Sequence, residues 1–226
     1  MKSLKYSKII EILYNSIETI SDITRLLTNT QCIVCGRESN GHRLCKRCLE
    51  LTHAPPSTVT LIHRGLEIYY FGIYKELLRD FILSYKYQNH DSLHKEFAQM
   101  IARTIKFNHL DFDYITYVPA TKSAKKKRGY DHMNLIAKRI SKMLDIPFVQ
   151  TMKAVRETDQ LIAKNREEAV KGKFILLDNL PNFSTKSILI IDDVYTSGST
   201  MREAIKTLEY LKPKEVIPIV IAMNRG

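Results

Sequence analysis

The stretch Ser187–Thr200 reads SILIIDDVYTSGST, and its first part leaves little choice of fold. Ile188–Ile191 is an unbroken apolar run with no alternation of polar and apolar residues. That pattern suits a central parallel strand covered on both faces. In an open parallel sheet, ligands bind beyond the carboxyl ends of the strands, and Asp192 and Asp193 stand at that end. Ionised carboxylates only accept hydrogen bonds, which matches the two hydroxyls of a ribose diol. Thr196, Ser197, Gly198, Ser199 and Thr200 follow, four hydroxyl residues around one glycine, just before a helical pattern. Backbone N–H groups, a helix N-terminus and hydroxyls together form a nest for a phosphate monoester. Diol acceptors beside a phosphate cradle describe a site for ribose 5-phosphate. Asp-Asp also binds Mg²⁺ or caps a helix elsewhere, and the hydroxyl loop also serves as a plain capped turn. No Gly-Lys-Ser/Thr follows, which argues against a P-loop, and a single glycine argues against a dinucleotide fingerprint.

The flanking pattern fits an α/β domain with a mainly parallel sheet. Strands are expected at Thr58–His63, Leu66–Phe71, Tyr114–Val118, Phe174–Leu177, Ser187–Ile191 and Glu215–Met223. Helical periodicity marks Tyr74–Lys86, Leu93–Phe107, Asp131–Leu144 and Thr200–Leu211, the last stopped by Pro213. A polar basic loop is expected between Pro119 and Asp131. Neither internal repeats nor low-complexity tracts interrupt the series.

All four cysteines fall in one window: Cys32-x-x-Cys35, nine residues, Cys45-x-x-Cys48. Two such pairs curl four thiolates around one point, the tetrahedral donor set of Zn²⁺. Two disulfides, an iron–sulfur cluster or a redox dithiol use the same residues, but the paired spacing favours structural zinc. Such a site leaves no open coordination position, so its role is to fold a small module. His42 lies in the loop as a bystander. The expected organisation is an amphipathic helix at 1–30, a zinc module at 31–54 and an α/β domain at 58–226.

Polar residues Glu11, Asn15, Glu18 and Asp22 break the apolar face of that first helix, against a secretory leader. No run approaches the roughly 20 apolar residues of a membrane span. A soluble, cytoplasmic protein is therefore expected. The formal charge of +11 suits a polyanionic partner, a nucleic acid or a phosphorylated small molecule, or only a solvated basic surface. Lys122, Lys125, Lys126, Lys127 and Arg128 concentrate this charge after an expected strand, where cations can neutralise a departing pyrophosphate or touch DNA phosphates. His90 and His94, four apart on an expected helix, lack neighbouring ligands for a metal. Tyr69, Tyr70, Phe71, Tyr74, Tyr85 and Tyr87 serve a core or a stacking platform for single-stranded bases, the core being the commoner use.

Ile188–Thr200 resembles the thirteen-residue phosphoribosyl pyrophosphate signature of type I phosphoribosyltransferases. The resemblance implies that fold, with Asp192 and Asp193 on the ribose hydroxyls and Thr196–Thr200 around the 5-phosphate. From about Cys32 onward the chain is also similar to the ComF-type competence proteins, which join a four-cysteine zinc finger to this fold. Lys86, Val118-Pro119, Arg128-Gly129-Tyr130, Arg156 with Gln160, and Arg166 carry that likeness. It implies that Arg156, Gln160 and Arg166 close over the ligand as a flap, although a surface salt-bridged helix uses the same residues; of the basic loop, Arg128 is the candidate for pyrophosphate. Tyr130-Asp131-His132 stands where the family pattern has Phe-Asn-Gln, and Ala169 where it has asparagine. Two functions are implied. One is a phosphoribosyltransferase, a glycosyltransferase using Mg²⁺ with phosphoribosyl pyrophosphate and an acceptor that no segment identifies. The other is a single-stranded-DNA-binding factor of natural transformation that keeps the ligand site for regulation and works beside other DNA-uptake proteins.

Overall fold

The computed structural model describes residues 31–56, 61–63, 65–154 and 173–224. The chain divides into two compact units, Met1–Leu51 and Thr52–Gly226. In the first, a knuckle from Gln31 to Glu38 leads into helix α1 (Lys46–His53), whose last two residues belong to the second unit.

The second unit carries strands β1 (Leu61–His63) and β2 (Leu66–Ile73), helices α2 (Glu76–Tyr87) and α3 (His94–Phe107), and strand β3 (Tyr114–Tyr117). Helices α4 (Lys122–Arg128) and α5 (His132–Leu144) follow, then strands β4 (Met152–Ala154), β5 (Phe174–Leu176) and β6 (Ser187–Tyr195). Helix α6 (Ser199–Glu209) and strand β7 (Glu215–Met223) complete the described elements. The main sheet has the order β1-β2-β7-β6-β3. Its β2, β7, β6 and β3 run parallel, and only the edge strand β1 is antiparallel. Strands β4 and β5 form a separate antiparallel pair.

The apolar run of β6 lies where its composition demands. Ile188, Leu189, Ile190 and Ile191 are all fully buried. Ile188 and Ile190 join a core with Met201, Ala204 and Leu208 of α6. Side chains alternate across a strand, so Leu189 and Ile191 face the other side, where α3 and α5 pack against the sheet. The base of β6 is held by Asp113, whose carboxylate accepts from Ser187 N and Lys186 Nζ, both at 2.8 Å.

Three local expectations change. The segment expected as a basic loop is helix α4. Thr121 caps it by accepting from Ala124 N at 3.2 Å, and Gly129 ends it in the left-handed region at φ 80°. His90 and His94 do not share a helix, because a 3-10 turn at Asp91–Leu93 separates them. Their ring nitrogens serve local bonds, His90 with Ser84 Oγ at 2.7 Å and His94 with Asp91 O at 2.7 Å. Strand β6 also continues past Ile191 to Tyr195. The expected helix at 1–30 and the expected flap lie outside the described residues. No helix among the described residues is long and apolar enough to cross a membrane. Of the aromatic cluster, Tyr70, Phe71 and Tyr85 are core residues, whereas Tyr87 is exposed.

Candidate functional site

In the first unit, Gly36 (φ 69°) and Gly41 (φ 77°) allow the reversals that bring the two cysteine pairs together. The sulfurs of Cys32, Cys35, Cys45 and Cys48 all lie within 4.8 Å of one another. Cys32–Cys48 measures 3.5 Å, while Cys35–Cys45 and Cys35–Cys48 measure 3.6 Å. Tetrahedral zinc with Zn–S bonds near 2.3 Å requires sulfurs roughly 3.8 Å apart, so these residues fit the ion. All four are free thiols, not disulfides. Burial works against the Cys32 thiolate, but backbone N–H groups of the knuckle outweigh it and draw its pKa down to about 7. The cluster can therefore hold a metal ion, and four sulfurs are the donor set of a closed, structural zinc site. His42 is exposed and outside it.

In the second unit, the end of β6 builds a recess of about 270 Å³. Strand β6 pairs with β3 only as far as Ile191 but with β7 as far as Tyr195. From Asp192 onward the β3 side of the strand is open, and Asp192, Asp193, Thr196, Gly198 and Thr200 all border the recess. The strand's alternation sends the two carboxylates to opposite sides. Asp193 falls on the α5 side, where His132 Nε2 and Lys86 Nζ each lie 2.6 Å from its Oδ2. Asp192 falls on the α6 side, and its Oδ1 accepts from Asp193 N at 2.8 Å.

The two acids consequently differ in electrostatics. Burial and the neighbouring charge of Asp193 raise the pKa of Asp192 to about 8. Burial opposes ionisation of Asp193 too, but Lys86 and His132 outweigh it and hold this carboxyl well below the usual range.

The loop after β6 turns at Gly198, with φ 74°. A Cβ there would overlap the Tyr195 hydroxyl and crowd Arg202 Nη1, so the position requires glycine for space as well as for φ. Arg202 Nη2 donates to Ser197 O at 3.0 Å and holds the loop from the first turn of α6. Ser197 and Ser199 hydroxyls lie 3.1 Å apart on the exposed side. The first N–H groups of α6 have no partner inside the helix. Lys173 Nζ donates to Thr200 Oγ1 at 2.9 Å, which adds a cation to the rim.

Arg128 also borders the recess. Its Nη1 lies 2.9 Å from His132 Nδ1, and its guanidinium stands 5.8 Å over the Tyr87 ring. Lys125 turns inward to Asp131, while Lys122, Lys126 and Lys127 are exposed. The structure thus brings Asp192, Asp193, Arg128 and the loop Thr196–Thr200 together. Arg156, Gln160 and Arg166 lie outside the described residues. Sequence reasoning gave no role to His132, Lys173 or Arg202, and named Lys86 only through a family likeness. Their partners are 27 to 107 residues away or hidden behind a turn, and no local spacing signals such contacts.

The family described as phosphoribosyl transferase domain matches residues 134–226. Competence protein F of Haemophilus influenzae is 30% identical over 154 residues, which span 64% of this chain and 67% of that protein. Competence protein ComFC of Bacillus subtilis is 20% identical over 183 residues, 80% of this chain and 72% of that one. Among solved structures, glutamine phosphoribosylpyrophosphate amidotransferase from B. subtilis, complexed with ADP and GMP, has a TM-score of 0.42 at 19% identity. That overlap covers 57% of this chain and 26% of the amidotransferase.

Metal analysis should return about one zinc per chain, and Cys48→Ser should lower it and destabilise the protein; a metal-free protein of full stability would remove the zinc reading. A second expectation concerns pH. The folded pKa of Asp192 is raised, so the folded state holds a proton that the unfolded state loses above about pH 4. Its contribution to stability therefore falls as pH rises from about 4 to about 8 and then levels off. Asp193 acts oppositely, its contribution being present above about pH 4 and lost on acidification. Urea midpoints across this range should decline less steeply in Asp192→Asn than in the parent.

Proposed function

Because the chain belongs to the ComF-type family of competence proteins, built on a phosphoribosyl transferase domain, we propose that its recess takes phosphoribosyl pyrophosphate with Mg²⁺, and that it serves the handling of DNA in natural transformation. One observation carries the ligand reading: two carboxylates and a glycine-turned hydroxyl loop border the same recess, at the carboxyl end of a buried parallel strand.

Protein groups already occupy Asp193 Oδ2 and Asp192 Oδ1, leaving Asp193 Oδ1 and Asp192 Oδ2 without hydrogen-bond partners among the described residues. Those two oxygens suit a ribose diol. Thr196–Thr200 and the N-terminus of α6 suit the 5-phosphate. Arg128 at the far wall suits the pyrophosphate, with Arg156, Gln160 and Arg166 closing over it. Mg²⁺ bound with the ligand would offset the charge of its phosphate groups. In a transfer reaction, a nucleophile would attack ribose C1 as the C1–O bond breaks and pyrophosphate departs with the electron pair. Fixed cations at the wall would stabilise the charge developing there. The setting would be the cytoplasm, where incoming single strands arrive.

A second reading, single-stranded DNA binding, rests on a different surface. Lys122, Lys126 and Lys127 are exposed on α4, and Tyr87, 59% exposed, lies beneath Arg128. Cations beside an open aromatic ring match the backbone-and-stacking mode of single-strand recognition.

Titration calorimetry with phosphoribosyl pyrophosphate and Mg²⁺ should give a saturable isotherm that Asp192→Ala with Asp193→Ala flattens. Equal affinity in the double variant would refute the ligand site. For DNA, Lys126→Glu with Lys127→Glu should reduce the salt slope of oligonucleotide binding by roughly 2. An unchanged slope would exclude this helix.

A further inference from the structure

Arg128 and Lys173 both border the recess, and among the described residues neither forms an ion pair with a carboxylate. The lysines nearby differ, Lys86 being paired with Asp193 and Lys125 with Asp131. Arg202, the cation tied to the hydroxyl loop, is committed to Ser197 O and does not border the recess. Lys173 stands immediately before β5. Phe174, next in sequence, pairs with Ala154 of β4 and is buried in a core with Met152 and with Met201 of α6. That anchor delivers the Lys173 ammonium to the first turn of α6, where it donates to Thr200 Oγ1 at 2.9 Å, although the lysine itself is exposed. Its charge also reaches Asp192, where burial and Asp193 raise the pKa and Lys86 and Lys173 oppose the rise.

We infer that Lys173 is a binding residue for the 5-phosphate of the sugar, supplying from β5 the cation that the hydroxyl loop lacks. The inference rests on the phosphoribosyl pyrophosphate reading of the recess and deepens it. An ammonium has three N–H donors, and a hydroxyl has one donor and two lone pairs. Because Lys173 donates to Thr200 Oγ1, the Thr200 proton is left for another acceptor, and two ammonium donors remain beside it. The Ser197 and Ser199 hydroxyls, 3.1 Å apart, are instead engaged with each other. A phosphate monoester near neutral pH is rich in acceptors and carries close to two negative charges. Donors from β5 and the free N–H groups of α6 thus meet at Thr200, and the charge of one matches the dipole of the other. With Arg128 serving the pyrophosphate, each anionic end of the ligand has its own unpaired cation. Lys173 is thereby a determinant of preference for the phosphorylated sugar.

The test compares calorimetric affinities of the full-length, zinc-loaded protein for ribose 5-phosphate, phosphoribosyl pyrophosphate and pyrophosphate, each with Mg²⁺. Lys173→Met removes an exposed side chain and leaves the core intact. It should weaken both sugar phosphates by a similar factor of roughly 10, the lower end for a hydrogen bond to a charged group, because solvent screens this lysine. Pyrophosphate should bind as it does to the parent. Lys173→Arg should restore most of the loss, whereas Lys173→Gln, which keeps a neutral N–H for Thr200, should not. Phosphorus-31 titration of bound ribose 5-phosphate gives a readout that a merely structural lysine would leave alone. The second ionisation of a free phosphate monoester lies at about 6; it should be lower in the parent complex and move back up in Lys173→Met. Parent affinity in Lys173→Met, a glutamine variant as tight as the parent, an equal loss for pyrophosphate or an unmoved phosphorus titration overturns the assignment. Absence of sugar phosphate binding by the parent instead sinks the ligand reading, and the role with it.

Discussion

The recess exists because β6 loses one neighbour before it loses the other. β3 stops pairing at Ile191, while β7 continues to Tyr195. Four residues of β6 are therefore held straight by hydrogen bonds on one side and open on the other. The apolar segment below them is packed on both faces, which anchors the strand and makes its exposed end rigid. Two acidic side chains on such an end arrive at set positions without a loop having to order around them. The glycine turn that follows inherits the same rigidity, since Tyr195 lies under it and Arg202 ties it from the helix.

The two carboxylates are adjacent in sequence yet are not equivalent, and the pleat of the strand is the cause. One residue of displacement moves a side chain to the other face. Asp193 thereby meets two donors carried by helices and remains ionised. Asp192 meets a backbone N–H and its neighbour's charge, and burial with that charge raises its pKa. A binding partner with hydroxyl donors meets one carboxylate held ionised by cations and one whose ionisation burial opposes. The two neighbours contribute differently although their chemistry is the same.

Sequence reasoning reached the parts that local pattern controls. The apolar run of β6, the full extent of β7 and the paired cysteines are legible because composition and spacing alone determine them. The hydroxyl loop is legible for the same reason. Helix α4 was not, since a run of cations hides the periodicity, and only its Thr121 cap and Gly129 stop mark it as helical. The β4–β5 pair was read only in its second strand, because three residues carry too little alternation to signal Met152–Ala154. His132 stayed silent for a stronger reason. Its partner Asp193 is 61 residues away, and nothing near either residue announces the other. Long-range polar contacts are a property of the packed sheet and helices, not of any window of the chain.

The fit of Gly198 over Tyr195 reaches into how this chain can diverge. No side chain enters at 198 while the phenol ring stays beneath, and trimming the ring alone leaves a void under the turn. Each position thus constrains what the other can become. A descendant that gained a side chain at 198 would need a smaller residue at 195 and would still carry the strain of a positive φ.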